Sequence, residues 1–545
     1  MVRQTKAATL MILLMLTVSI SPLFVSVLDS KSEVYNAPKA TLTWSGSMTL
    51  SSDFTVAAGD TLVITAGTTV AFADGVRLYV EGELDATGTA TNPVTITKAT
   101  DAIYHDGIRF NATSRGRGSV LNHVVIDHAQ WGISIYDSNP TINDLTINNA
   151  DYVGIDMFDN ADPTIQRLVV NGGGQDVATL CNNNQWRCGI GLSIGASSDP
   201  LILGATFENL TSRAVNMWGS SSGFLRDLSI SNVSTIGSGS GWIPAGIWVE
   251  NSVALFDNVS VDRSDNGIWI QHNDPTVSTR PTFWDTTVTN SMYRGVFVEQ
   301  YNKSNFNTPL NAVFDNLEVT GSGKIGAKTP GLCYFGIGVN TSGIDLRNSR
   351  ALNNDCNGFK GYMIDSATII DNLTLINNGD TASLYQNDRA GMFIRSANWA
   401  PQIRNISVSS SVGHGIYLSK ASLQGSNWSS SSNTGHGLYL HESHPDLTGI
   451  SVTSNGLNGL YVFDCSNVEL FDLTSEQNGN QASIPKNGYG LYFEKSNNAI
   501  SGSKNVSCTR CSSTNDAWGG IYIKDSIDLQ LHQIQVTDPG NGGLA

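Results

Sequence analysis

Charge is what this sequence has least of. Only 14% of its 545 residues are Asp, Glu, Lys or Arg, against about 25% in an ordinary soluble domain. Lys and Arg number 31 against 47 Asp and Glu, a net charge of -16. No basic stripe is left to neutralise phosphates, which argues against a nucleic-acid partner. The low charge does not describe a disordered chain, because 40% of the residues are hydrophobic and supply the surface for a large core. Ser, Thr, Asn and Gly take the place of charge, the composition of a turn-rich β protein that works outside the cell. After the first 30 residues no apolar run is long enough to span a bilayer. The hydrophobic spacing of helical solenoids is also missing.

The one long apolar run is at the start. Arg3 and Lys6 precede Ala7 to Leu28, which is apolar except for Thr, Ser and Pro22. A secretory signal peptide and an uncleaved membrane anchor both fit. No small-x-small cleavage site stands out, and no Cys follows the run, which argues against a lipoprotein anchor. Under both readings the rest of the chain is exported, secreted or at the cell surface, and touches membrane only through this segment. The chain divides into a signal or anchor over 1–30, a linker over 31–40, entry coils over 41–100 and repeats over 101–545. At the far end, Gly543-Leu544 has the look of another coil starting with no polar cap after it, as expected of a truncated solenoid.

The repeat is Gly, aliphatic, any residue, aliphatic, then a polar turn that often holds Pro. It reads Gly132-Ile-Ser-Ile-Tyr-Asp-Ser-Asn-Pro140 and Gly154-Ile-Asp-Met-Phe-Asp-Asn-Ala-Asp-Pro163. It returns at Gly191, Gly246, Gly267, Gly295, Gly336, Gly361, Gly391, Gly415, Gly437, Gly459, Gly490 and Gly520, with a weaker copy at Ala214. The tightest steps are 21 to 24 residues, as from Gly415 to Gly437. Longer steps carry polar inserts such as Tyr301–Pro309 and Gln477–Lys486. A second short strand follows many copies, as in Phe256-Asp-Asn-Val-Ser-Val261. The period is too short for a propeller blade. Strands this short bury a face only by stacking on the same strands of the next copy, so the pattern predicts an all-β, right-handed parallel β-helix. Ile, Val and Leu point inward and Gly supplies a corner bend. With Gly107 as the first, sixteen coil starts at one strand spacing predict a rod of roughly 75 Å.

With Ala58-Gly-Asp-Thr-Leu-Val-Ile-Thr-Ala-Gly-Thr-Thr-Val70 and Gly82-Glu-Leu-Asp-Ala-Thr-Gly-Thr-Ala-Thr-Asn-Pro-Val-Thr-Ile-Thr97 as an opening, the chain resembles right-handed parallel β-helix repeat proteins, the pectin-lyase-like group. The resemblance covers about residues 41 to 545. It implies carbohydrate-binding surface proteins or sugar hydrolases, and is specific for fold rather than activity.

Within Gly-Ile-x-Val the x residue points outward. Down the coils x is Trp248, Trp269, Phe297, Phe393, Tyr417, Tyr439, Tyr461, Tyr492 and Tyr522. Equivalent positions lie one strand spacing apart, so the rings form a ladder. If Tyr417, Tyr439, Tyr461 and Tyr492 share an exposed face, it suits the apolar faces of sugars, with a glycan as partner. The alternative is a self-stacking ladder that stabilises the sheet. Three residues on, Lys420, Glu442, Asp464, Lys495 and Asp525 share a second column. Glu442 and Asp464, with His441 beside them, would serve as an acid/base pair or hold a hard cation such as calcium. The alternative is an alternating ion-pair ladder. No other metal or cofactor is indicated.

His414 and His436 precede coil-starting glycines 22 residues apart and should stack. His444 fills a pre-proline turn slot. Gly413-His414-Gly415 and Gly435-His436-Gly437 look like the Gly-His-Gly motif of polygalacturonases, but its Asn-Thr-Asp, Asp-Asp and Arg-Ile-Lys partners are absent. Val125-Ile126-Asp127-His128 is similar to a pectate-lyase strand motif without its Arg-x-Pro-x-x-Arg. These absences weigh against a polysaccharide lyase, hydrolase or epimerase. The one-sided ring column weighs against a bare structural stalk. Seven cysteines suit an oxidising compartment. Cys181 with Cys188, Cys333 with Cys356, and Cys508 with Cys511 are candidate bridges, leaving Cys465 odd. Ten Asn-x-Ser/Thr sequons, among them Asn111, Asn209, Asn302, Asn340 and Asn427, permit glycosylation or mark turns.

Overall fold

The computed structural model describes residues 39–174, 188–234, 244–274, 280–300, 311–324, 334–379, 389–397, 401–480, 488–494, 506–526, 528–538 and 540. The proposed signal or anchor, residues 31–38 of the linker, Cys181, Cys333, Lys495, Asn302 and the last five residues lie outside them. Among the described residues there is one 3₁₀ turn, Ala112–Ser114, and no helix long and apolar enough to cross a membrane.

The rest is a right-handed parallel β-helix. A first sheet of 23 strands and a second of 18 run its length. Each strand pairs in parallel with its equivalent one coil away. In the first sheet Leu121 pairs with Ile142, and Ile142 with Ile165. In the second, Ile133 pairs with Ile155, and Ile155 with Leu192. The entry segment obeys the same rule, Thr41–Trp44 stacking on Thr61–Ile64, and that strand on Glu83–Thr87. Side chains alternate in and out with the strand period of two. Ile133 and Ile135 are therefore buried in the core, and Tyr136, of the opposite parity, reaches the rim. Equivalent core positions stack like on like: Phe256, Phe283 and Phe314 lie 4.4 and 4.8 Å apart with nearly parallel rings.

Two parts of the repeat need correction. The coil start near residue 360 is Gly358, not Gly361, because Phe359 is in register with Ile337 and Met392. The coil-starting glycines do not bend a corner either. Gly107 apart, they lie within or immediately before second-sheet strands without a left-handed φ, and what they lack is room. A Cβ on Gly267 would sit 2.3 Å from Val288 Cγ1 of the facing sheet and 2.4 Å from the carbonyl oxygen of Gly295 in the next coil.

The bends come from elsewhere. Midway along the first-sheet strands, Asp144, Asn258, Asn316, Asn372, Asn405 and Asn427 are left-handed, with φ from +50° to +62°. Asn and Asp tolerate that region best among residues other than Gly. Their side chains link coils: Asn258 Nδ2 donates to Asp227 at 2.6 Å, and Asn427 Nδ2 to Asn405 at 3.1 Å. Sequons recur here because an inward aliphatic residue and an outward Ser or Thr follow this Asn. Inside the helix, Asn433, Asn455 and Asn478 form a second ladder. Each donates its backbone N–H and its side-chain amide to the next, Asn433 to Asn455, Asn455 to Asn478 and Asn478 to Asp516.

Cys508 and Cys511 are joined, Cys188 and Cys356 are each disulfide-bonded, and Cys465 is a buried thiol.

The crowding at the coil-starting glycines gives a direct test. Gly267→Ala should cost about 1–3 kcal/mol, the range for overpacking a filled core. Adding Val288→Ala should restore only part of it, since the Gly295 carbonyl stays in place. Thermal melts of the two variants check this, and full rescue would place the obstruction in the side chain alone.

Candidate functional site

The outward row of the second sheet is one register position carried through the molecule. It runs Ser134, Asp156, Ser193, Asn216, Trp248, Trp269 and Phe297, then Gly338 and Lys360. From there it continues through Phe393, Tyr417, Tyr439, Tyr461, Tyr492 and Tyr522. The expected rings therefore stand in one row. At Gly338 the ring of Phe335 fills the missing place, since a Cβ there would meet it at 2.1 Å.

The row is not the exposed face expected for it. Trp248, Phe297, Phe393, Tyr417 and Tyr492 are buried, and Trp269, Tyr439, Tyr461 and Tyr522 are half-buried. The reason lies in the register. Rings one strand spacing apart turn their faces to each other, as Tyr417, Tyr439 and Tyr461 do at 4.7 and 5.0 Å with interplanar angles of 14° and 8°. Burial raises the pKa of the Tyr439 and Tyr461 hydroxyls well above the usual phenol value, so both stay protonated.

The second column is a left-handed turn, with Lys420, Glu442, Asp464 and Asp525 at φ from +47° to +53°. Glu442 is not paired with Asp464. It holds Lys420 Nζ at 3.3 Å and His441 Nε2 at 3.2 Å, and His441 Nδ1 lies 3.4 Å from the Tyr417 hydroxyl. No hydrogen bond or ion pair joins Asp464 to Glu442 or His441 among the described residues. Burial is the largest influence on His441 and lowers its pKa. Glu494, which the repeat did not single out, accepts from Tyr461 Oη at 2.8 Å and Lys524 Nζ at 2.5 Å. Among the described residues no group of three His, Cys, Asp or Glu is placed to hold a metal ion.

His414 and His436 stack at 5.1 Å, their planes 8° apart. Their role is structural. His414 Nδ1 accepts the backbone N–H of His436 at 3.2 Å, and His436 Nδ1 accepts that of Asn458 at 3.1 Å. Each imidazole is thus the neutral tautomer with its proton on Nε2. Burial takes His414 down to about 4 and His436 well below the usual value of 6.5.

The open part of this face lies where the outward row is polar. A groove of about 840 Å³ runs over the coils between Trp131 and Asn251. Asp156, Ser193 and Asn216, in register on three successive coils, form its floor. Tyr152 stands at one side, its ring 4.8 Å from that of Trp131 and 3° from parallel. Trp218 stands at the other, 40% exposed, its indole folded over Gly195. A Cβ on Gly195 would lie 2.1 Å from that ring. Trp218 Nε1 donates to Ser193 Oγ at 3.4 Å. Arg213 is buried beneath, its guanidinium 4.0 Å from the Trp248 ring centre and hydrogen-bonded to Asn216 Oδ1 at 2.5 Å. None of Tyr152, Asp156, Ser193, Arg213, Asn216 or Trp218 was picked out from the sequence. The available signal was the loss of rings from the x position between Ser134 and Asn216.

Fold and groove together define a β-solenoid with a cleft on one sheet. The description "right handed beta helix region" matches residues 131–323 and 390–545, and the chain belongs to that family. Among solved structures it is similar to an alginate lyase from Paenibacillus sp. str. FPU-7, at 15% identity over 50% of this chain and 94% of that one, TM-score 0.33. It is also similar to the A-module of the mannuronan C-5 epimerase AlgE4 from Azotobacter vinelandii, at 14% identity over 89% and 88%, TM-score 0.27. A third is the catalytic domain of a GH87 alpha-1,3-glucanase, at 10% identity over 77% of this chain and 60% of that one, TM-score 0.24. No curated protein matches the chain.

The imidazole ladder makes stability depend on pH with a defined sign. Folding holds both histidines neutral, so the unfolded chain takes up protons first as pH falls. The His414 contribution is complete above about 6.5 and is lost as pH falls to about 4, and that of His436, whose pKa burial also lowers, is lost in the same direction. His414→Asn with His436→Asn keeps an acceptor on each coil, as Asn458 does for Gly488 N–H at 2.7 Å. The double variant should show a flatter decline of melting temperature across that interval. An unchanged slope would remove the histidines from the account.

Proposed function

We propose that this chain is an exported carbohydrate-binding β-helix protein, and that the groove between Tyr152 and Trp218 is where a glycan chain lies. The observation that carries the reading is the pairing of a polar, in-register floor with ring side walls in an open cleft. Sugars present apolar faces to rings and hydroxyls to carboxylates, amides and hydroxyls. The exposed indole of Trp218 supplies the first kind of contact, and Asp156, Ser193 and Asn216 supply the second. The Tyr417–Tyr522 ladder serves stability instead, because its rings are covered by one another. Export is supported by the positively charged start, the apolar run after it and the disulfide bonds.

A second reading is enzymatic: a polysaccharide lyase, hydrolase or epimerase. It is favoured by the chain Tyr417–His441–Glu442–Lys420, in which a neutral, half-buried imidazole lies between a phenol and a carboxylate. Such a group accepts a proton at neutral pH. Reducing-end and unsaturated-product assays over a polysaccharide panel separate the two readings. Product formation abolished by His441→Ala would establish the second.

For the binding reading, Trp218→Ala should weaken glycan affinity about 10-fold or more, on the scale of 1–3 kcal/mol for one stacked ring. Tyr439→Ala should lower the melting temperature while leaving affinity within about twofold. Titration calorimetry with oligosaccharides checks both, and the reverse pattern would move the binding surface to the ladder.

A further inference from the structure

Resting on the groove as the glycan site, we infer that it selects acetylated sugars, and that Asn216, oriented by Arg213, reads the acetyl carbonyl. The selection begins beneath the floor. Arg213 is buried there and donates from Nη1 to Asn216 Oδ1 at 2.5 Å. A guanidinium has hydrogens to give and no lone pair to receive one. Turning the amide over would set donor against donor, so Arg213 fixes which atom of Asn216 is left for the groove it lines. That atom is Nδ2, which has no acceptor among the described residues. One coil back in the same row, Ser193 Oγ accepts from Trp218 Nε1 at 3.4 Å. What Ser193 then offers a ligand is its own hydrogen, which nothing accepts among the described residues. Two donors therefore stand on adjacent coils, one strand spacing or about 4.8 Å apart. The exposed indole of Trp218 lies beside them, folded over Gly195.

The group that completes this corner has an acceptor oxygen, no hydrogen of its own to place, and apolar surface next to it. A plain hydroxyl meets only the first condition. On accepting from Asn216 it must still place its hydrogen, and Asn216 Oδ1 is already taken by Arg213. Asp156 is two coils away along the row, about 9.6 Å and out of reach. An acetyl group meets all three conditions. Its carbonyl oxygen has two lone pairs, and a single oxygen midway between donors about 4.8 Å apart is within hydrogen-bond distance of both. Its methyl group lies against the Trp218 ring. Asn216 is only 7% exposed, so its Nδ2 has little water to fall back on when a ligand fails to accept from it. Sites of this kind discriminate strongly against analogues that lack the bonded group, because a buried polar atom is left unpaired.

The test uses the full chain and methyl glycosides of glucose, galactose and mannose in both anomers, so that no linkage is assumed. Each is compared as the 2-hydroxy parent, the 2-O-acetyl ester and the 2-acetamido sugar, with methyl glucuronide alongside. Titration followed by saturation-transfer nuclear magnetic resonance gives affinity and the atoms in contact. In any series that binds, an acetylated member should be about 10-fold or more tighter than its hydroxyl parent. Its acetyl methyl should take up the strongest saturation, since it faces the indole. Whether the amide or the ester binds tighter tells which kind of acetyl group the groove takes. Asn216→Asp keeps a partner for Arg213 and should not lower the melting temperature. A carboxylate accepts from a hydroxyl and has no hydrogen for a carbonyl, so in this variant the preference should reverse. Parents that bind as well as their acetylated forms overturn the inference and leave the groove a glycan site. A weakly saturated acetyl methyl overturns it too, as does a glucuronide as tight as the acetamido glucoside, which would make the corner a reader of any acceptor. Absence of binding by every glycoside overturns the carbohydrate reading itself and the selection with it.

Discussion

Parallel stacking of one coil on the next, in register and at one strand spacing, is the constraint from which the rest of this structure follows. Every side chain has a copy of its own position about 4.8 Å above and below. A residue is tolerated only if it is compatible with its own row. Phenyl rings satisfy this by lying face to face, as Phe256, Phe283 and Phe314 do in the core. Amides satisfy it by donating from one coil and accepting on the next, as Asn433, Asn455 and Asn478 do. Charges satisfy it by alternating: Asp144 binds Arg167, Asp472 binds Arg510, and Glu442 binds Lys420.

The same rule governs what is allowed in the interior. A buried amide or imidazole is costly unless each of its polar atoms finds a partner. A solenoid offers those partners cheaply, because the backbone N–H of the next coil arrives at the same place each time. Neutral histidine and asparagine therefore stand in for each other beside the second sheet, both accepting from the following coil. Asp516 at the end of the amide ladder is the exception. Its carboxyl accepts from Asn478, Ser475 and Ser513, yet burial outweighs these bonds and raises its pKa.

The proposed binding groove lies where the rule is relaxed. Along the Tyr417–Tyr522 part of the outward row, rings are spent on rings. Between Ser134 and Asn216 the row turns polar, and the rings move to its two sides, at Tyr152 and Trp218. Two glycines permit such departures. Gly195 gives Trp218 a place to lie, and Gly338 does the same for Phe335. The groove is thus a local change in what the repeated position carries, on a scaffold that continues unaltered on both sides.

The sequence by itself determined the coil. Its 22-residue recurrence, the inward aliphatics and the placement of the x residues in one outward row all follow from strand periodicity, which is local. Periodicity also made Tyr417, Tyr439 and Tyr461 neighbours and brought His414 onto His436. It did not determine which outward rings meet solvent, because that depends on the tilt of each ring toward its neighbour. Nor did it reveal that Gly267 is needed for room rather than for a turn, since the atoms that crowd it belong to Val288 and Gly295. The pairing of Glu442 with Lys420 and His441, and the meeting of Asp156, Ser193, Asn216 and Trp218 around one cleft, were decided only by the tertiary structure. Those contacts join different coils through side-chain directions, and a repeat fixes the position of a side chain but not where it turns.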